Sequence, residues 1–86
     1  MSVSLTLIGK PGCHLCDDAR DVIGSVIEAL PADAPHVDVS ERNILADPAL
    51  YEKYVEEIPV VLVDGRVHTY WRVDPARLRS ALLEAR

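Results

Sequence analysis

The chain has 86 residues, 49% of them apolar, no Phe, and a formal net charge of −5. That length supports one hydrophobic core and hence one domain over residues 1–86, and the apolar fraction excludes a disordered chain. Acidic side chains outnumber basic ones 14 to 9, which excludes nucleic-acid binding through broad Lys/Arg contact with phosphates. The charge is uneven: residues 1–65 hold 4 basic and 12 acidic groups, residues 66–86 hold 5 and 2. Arg66, Arg72, Arg77, Arg79 and Arg86 therefore crowd the last quarter, either as a solvated helix face or as a docking patch for an acidic partner protein. Residues 1–9 lack the basic n-region and continuous apolar h-region of a signal peptide, and no apolar run approaches the ~20 residues of a membrane span. A cytoplasmic protein without membrane contact is expected.

Val3, Leu5 and Leu7 alternate with Ser2, Ser4 and Thr6, the period of a strand. Gly9-Lys10-Pro11-Gly12 breaks it. From Leu15 the period changes: Leu15, Ala19, Val22, Ile23, Val26, Ile27 and Leu30 form one helical stripe that Pro31 stops. Residues 31–35 read as a linker and 36–39 as a short strand. Asp47-Pro48 is an N-cap followed by Pro at the first helical position, predicting a helix over 48–55. Residues 59–63 form a β-branched run, Asp64-Gly65 a hairpin turn, and 66–71 the return strand. Asp74-Pro75 repeats the capping device, Val73 and Leu78 are placed for a hydrophobic staple, and the last helix buries Leu78, Ala81, Leu82 and Ala85. The order β-α-β-α-β-β-α predicts a four-stranded mixed sheet with flanking helices. Its first three strands are expected to run parallel through right-handed crossovers, with the hairpin adding an antiparallel edge.

Cys13-His14-Leu15-Cys16 falls where the first strand gives way to the first helix. Residues three apart in a helical turn have Cβ atoms about 5–6 Å apart, and a disulfide needs Cα atoms roughly 4.4–6.8 Å apart, so the pair can open and close with little backbone movement. In a reducing compartment such a pair points to redox chemistry or metal. Cys13, at the helix edge, is expected to be exposed. Cys16, beside the apolar stripe, is expected to be buried. Exchange needs a thiolate, and a helix N-terminus favours one. The charges of Lys10 and of protonated His14 favour it too, whereas Asp17 and Asp18 oppose it. Cys13 is thereby the nucleophile and Cys16 the resolving thiol. A zinc site would need two further ligands; His14 lies inside the motif, and His36 and His68 form no second pair, so no metal is assigned.

The segment from Leu5 to Cys16 resembles the opening of the glutaredoxin branch of the thioredoxin fold, in which a strand and a Lys precede a C-P-Y-C motif. Glu57-Ile58-Pro59-Val60 resembles the family's T-V-P segment, and the match spans nearly the whole chain. The resemblance implies a cis Pro59 facing the cysteines and an Ile58 backbone that pairs with an extended substrate. Taken alone, Pro59 is an ordinary strand-start proline. Lys10 is either a contact for a glutathione carboxylate or a loop lysine, and His14 either stabilises the thiolate or is an exposed helix residue. The family's G-G-x-D segment, which holds the glutamyl end of glutathione, corresponds here to Thr69-Tyr70-Trp71-Arg72. Loss of both glycines predicts weak glutathione binding. The W-C-G-P-C motif of thioredoxins is absent.

These features predict a thiol–disulfide oxidoreductase of protein or low-molecular-weight disulfides. No tightly bound cofactor is expected; glutathione or another low-molecular-weight thiol serves as co-substrate, and a reductase or thiol as electron donor. A monomer is expected. Trp71 either covers the active-site groove and contacts substrate or packs on the last helix. Two other functions remain open: a non-catalytic adaptor docking through the arginine-rich end and Tyr70/Trp71, and an iron–sulfur carrier with Cys13 of two chains bridging a cluster.

Overall fold

The computed structural model describes residues 2–85. Its elements are β1 (Ser2–Gly9), α1 (His14–Glu28), β2 (His36–Asn43), a 3-10 turn (Ile44–Ala46), α2 (Pro48–Tyr54), β3 (Val60–Val63), β4 (Arg66–Tyr70) and α3 (Pro75–Glu84). The four strands lie in the order β2-β1-β3-β4. Pairing is parallel between β1 and β2 and antiparallel between β1 and β3 and between β3 and β4.

The first crossover is the expected one. Helix α1, of 15 residues, is about 22 Å long and matches an 8-residue strand of about 26 Å, so it returns the chain to the start of the sheet. The second connection differs from expectation: β3 runs antiparallel to β1. Helix α2 has only 7 residues, about 10 Å, too short to carry the chain back along β2. The chain therefore re-enters the sheet at the end where β1 and β2 finish, with Val60 opposite Ile8. Strand β2 also extends beyond residue 39 to Asn43; its second half, Ser40-Glu41-Arg42-Asn43, is polar and pairs with Thr6 to Gly9 of β1.

The alternation in β1 sorts the core between the faces of the sheet. Val3, Leu5 and Leu7, with Val61 of β3, pack against Ala19, Ile23 and Val26 of α1 and Leu78 and Leu82 of α3. The neighbouring residues Ile8 and Val60 point the other way and pack with Ile44 and Tyr54. The helical stripe starts one residue later than its spacing suggested: Leu15 is 36% exposed, and Cys16 is the first buried position. Val73 packs on the cluster that contains Leu78, and Ala81 and Ala85 are half-buried rather than buried.

Both Asp-Pro caps form. Asp47 Oδ1 accepts from the N–H groups of Ala49 (3.0 Å) and Leu50 (3.3 Å), and Asp74 Oδ1 from those of Ala76 (2.9 Å) and Arg77 (3.2 Å). Asp64 and Gly65 have φ of 50° and 80°, both left-handed, as a tight hairpin turn demands. The arginines are spread along β4, the segment after it and α3, and Arg66, Arg72, Arg77 and Arg79 make no ion pair among the described residues. Arg86 lies outside the described residues. No helix among those described is long and apolar enough to cross a membrane.

Candidate active site

The end of β1 and the start of α1 place the cysteines. Gly12, at φ 77°, takes a left-handed conformation that side chains disfavour and turns the chain into Cys13. Cys13 is the N-cap of α1 with an extended backbone, φ −94° and ψ 111°. Its Sγ accepts the N–H of Cys16 at 3.2 Å, filling the role that Ser or Asp plays at most helix starts. The two cysteines are disulfide-bonded, with Cα atoms 5.2 Å apart. Cys13 is half-buried, while Cys16 is 1% exposed. Cys16 is buried as its place beside the apolar stripe suggests, whereas Cys13, expected to be exposed, is half-buried.

Gly9 is a site residue that the sequence reading treated only as a strand breaker. A Cβ there would lie 2.7 Å from Cys16 Sγ and 3.2 Å from Cys16 Cβ, so the strand can approach the buried sulfur only because this position has no side chain. The Ile58–Pro59 peptide is cis. Val60 opposes Ile8, so Pro59 sits at the level of Gly9, the residue that abuts Cys16. Ile58 half-buries its side chain against the Ile8–Tyr54 cluster.

Trp71 meets this level from β4. Its N–H donates to Pro59 O at 2.8 Å and its Nε1–H to Glu56 O at 3.1 Å. Its φ of 63° is a conformation glycine prefers. Trp71 is 55% exposed. With Leu15, Val22 and Val73 it borders a groove of about 180 Å³ along α1, rather than burying itself on α3.

A larger groove of about 360 Å³ lies on the other side of the α1 N-terminus, where Cys16, Pro11, Lys10 and Arg20 meet Glu41 and Asn43 of β2. Lys10 is exposed at its edge and makes no ion pair among the described residues. His14 is the first, exposed residue of α1. Asp17, which sequence alone sets against the thiolate, is bound by Arg20 at 2.9 Å, and Arg20 also holds Glu41 at 2.8 Å. Neither Arg20 nor Glu41 was singled out from sequence, because their contact spans 21 positions and two elements. His36 pairs with Asp38 at 3.0 Å on β2, and no three His, Cys, Asp or Glu side chains among the described residues converge as metal ligands.

A disulfide-bonded cysteine pair at the N-terminus of the helix that follows β1, with a cis-proline at the same level, defines a thioredoxin-fold protein of the C-x-x-C type. The chain belongs to the glutaredoxin-like domain family (DUF836), whose family model matches residues 4–83. An uncharacterized protein of Mycobacterium tuberculosis is 34% identical over 74 residues, covering 86% of this chain and 76% of that one. A glutaredoxin-like protein of Dictyostelium discoideum is 24% identical over 81 residues, 90% of this chain and 72% of its own. A crystal structure from X. campestris superposes with a TM-score of 0.68 at 31% identity, covering 88% of this chain and 91% of that one. A solution structure from Nitrosomonas europaea gives 0.74 at 18% identity over 93% and 91%, and shares the fold.

Proposed function

We propose that this protein is a dithiol–disulfide oxidoreductase in which Cys13 attacks and Cys16 resolves. The observation that carries this reading is Cys13 Sγ at the N-cap of α1, accepting the Cys16 N–H at 3.2 Å beside a buried Cys16 sulfur. The partial positive charge of the helix start and that N–H both favour a thiolate over a thiol. In the reduced protein the Cys13 thiolate forms a bond to one sulfur of a substrate disulfide, and the other sulfur leaves as a thiolate. Cys16, losing its proton, then attacks Cys13 Sγ and expels the second substrate thiolate. Two electrons pass to the substrate and Cys13–Cys16 is left as the disulfide. A thiol or reductase restores the dithiol by the reverse exchange.

A protein disulfide is the substrate class this reading favours. Ile58 makes no main-chain hydrogen bond among the described residues, so its backbone is available to an extended polypeptide. The exposed Trp71 and Leu15 offer apolar contact in the groove along α1. Lys10 supplies positive charge at the rim. Thr69 and Tyr70, where the resemblance puts the paired glycines, add side chains at the surface on which glutathione would lie, so glutathione or a related thiol acts here as a weakly held co-substrate. The reading assigns a cytoplasmic monomer with no resident cofactor.

The deciding experiment supplies the reduced protein with a protein disulfide and, separately, with a small mixed glutathione disulfide. Electrons come from glutathione or from thioredoxin reductase. Turnover of the protein disulfide that is lost in Cys13→Ser, with Cys16→Ser trapped as a mixed disulfide on Cys13, is the expected result. Absence of exchange with both substrates, or exchange that survives Cys13→Ser, overturns the assignment.

A further inference from the structure

The charges around the cysteine pair are organised by one guanidinium. Arg20 lies on α1 beyond the cysteine motif. Its Nη1 donates to Asp17 Oδ1 at 2.9 Å, and its Nε and Nη2 both donate to Glu41 Oε1, at 2.9 and 2.8 Å. Glu41 stands opposite Leu7 in the β1–β2 register, on the sheet face that α1 covers. The hydrogen bond to Glu41, then that to Asp17, holds the guanidinium above its ordinary range. All three side chains are about half exposed, at 50%, 60% and 51%, and an ion pair so wet adds little to folding. Its consequence lies in where it puts charge.

Asp17 belongs to the first turn of α1, one turn beyond Cys13, and its N–H donates to Cys13 O at 3.1 Å. A carboxylate there opposes any negative charge on the Cys13 sulfur and weakens the positive field of the helix start. Arg20 binds that carboxylate toward β2 and sets a positive charge against it. The other charged groups around the pair leave Asp17 alone. On the approach loop stands Lys10, and on α1 His14 and Asp18. From β2, Arg42 is engaged with Asp47 at 3.2 Å. Glu56 and Glu57 precede Pro59, and Arg72 follows β4; neither glutamate nor Arg72 makes an ion pair among the described residues.

We propose that Arg20 is a positioning residue for the Cys13 thiolate: by clamping Asp17 to Glu41 it keeps the Asp17 carboxylate from opposing the ionised sulfur. The inference rests on Cys13 as the nucleophile and names the device that keeps it ionised in an acidic protein. A full charge about 6 Å away in a water-like dielectric changes an ionisation equilibrium about threefold, which sets the size of the effect.

The test follows the rate of iodoacetamide alkylation against pH in reduced Cys16→Ser protein, where Cys13 is the single thiol. Adding Arg20→Gln is expected to slow alkylation at pH 6 about threefold and to move its pH midpoint upward. Adding Arg20→Gln to an Asp17→Asn background is expected to change the rate little, because the first-turn charge that Arg20 offsets is then already gone. An equal slowing in both backgrounds shows that Arg20 acts through its own charge and overturns the proposal, as does no slowing in either. Far-UV circular dichroism checks that each variant keeps the fold, which a half-exposed pair does not decide. The readout needs no substrate disulfide. Arg20 can therefore fail while Cys13 exchange stands, and exchange can fail while the shift at Cys13 remains.

Discussion

At the scale of single residues, the site depends on two backbone positions as much as on its sulfurs. Gly9 is required by packing: the Cβ of Gly9→Ala would meet Cys16 Sγ at 2.7 Å, a contact that a strand in the middle of the sheet cannot relax by moving. Overpacking of this kind costs roughly 1–3 kcal/mol. Denaturant unfolding of Gly9→Ala is expected to show that loss, and Cys16→Ala in the same chain to recover a good part of it. A loss unchanged by Cys16→Ala would place the strain elsewhere. Trp71 is the opposite case, a large side chain on a backbone suited to glycine, at φ 63°. Trp71→Gly and Trp71→Ala both remove the indole and its hydrogen bond to Glu56 O, but only glycine relieves the left-handed conformation, worth roughly 1 kcal/mol. Trp71→Gly is therefore expected to be the more stable of the two by about that amount. Equal midpoints would mean that the segment abandons this conformation once the ring is gone.

At the scale of elements, the sequence showed what is local and hid what is not. The alternation of Val3, Leu5 and Leu7, the stripe through Ile23 and Val26, and the two Asp-Pro caps depend on near neighbours, and each emerges in the structure. The cysteine pair is legible for the same reason. The direction of β3 depends on how far α2 can carry the chain, and the polar half of β2 is a strand only because β1 offers it a partner. Arg20 and Glu41 meet only once those strands are in register. An element-level feature without a sequence signal is the bulge in β4: Val61 pairs with Thr69 and Leu62 with Val67, leaving His68 as the extra residue. Half-burial there, and then the charge of Arg77 on α3, lower the His68 pKa below its ordinary value of 6.5. The unfolded chain consequently binds a proton more readily than the folded one as pH falls below about 6.5. Stability contributed by neutral His68 is full above that pH and declines below it, down through the folded pKa. The unfolding midpoint of the protein is expected to fall more steeply below about pH 6.5 than that of His68→Gln. Parallel curves would show that His68 titrates alike in both states.

At the scale of the whole molecule, one thin sheet serves two hydrophobic clusters, and the cysteine pair lies at the edge where both end. Leu7 belongs to the cluster under α1 and α3, whereas Ile8 belongs to the cluster under α2; Val61 and Val60 divide in the same way. Neither cluster can come apart without pulling on the strand residue next to one in the other. The domain is therefore expected to unfold as a unit, although its two faces share no side chain. Leu78→Ala tests one face and Ile44→Ala the other, both residues being fully buried. Each is expected to cost about 2–5 kcal/mol, a large part of the total of about 4–13 kcal/mol expected for a domain of this length. Far-UV circular dichroism follows mainly α1 and α3, on the Leu78 face, while fluorescence follows Trp71 beside Pro59. In Ile44→Ala both signals are expected to shift to a common lower midpoint with an unchanged slope. Fluorescence that moves while the helical signal holds its midpoint would show that the α2 face opens alone, exposing the Pro59 side of the cysteine pair without unfolding α1. Coincident shifts would tie the cysteine site to the stability of the entire domain.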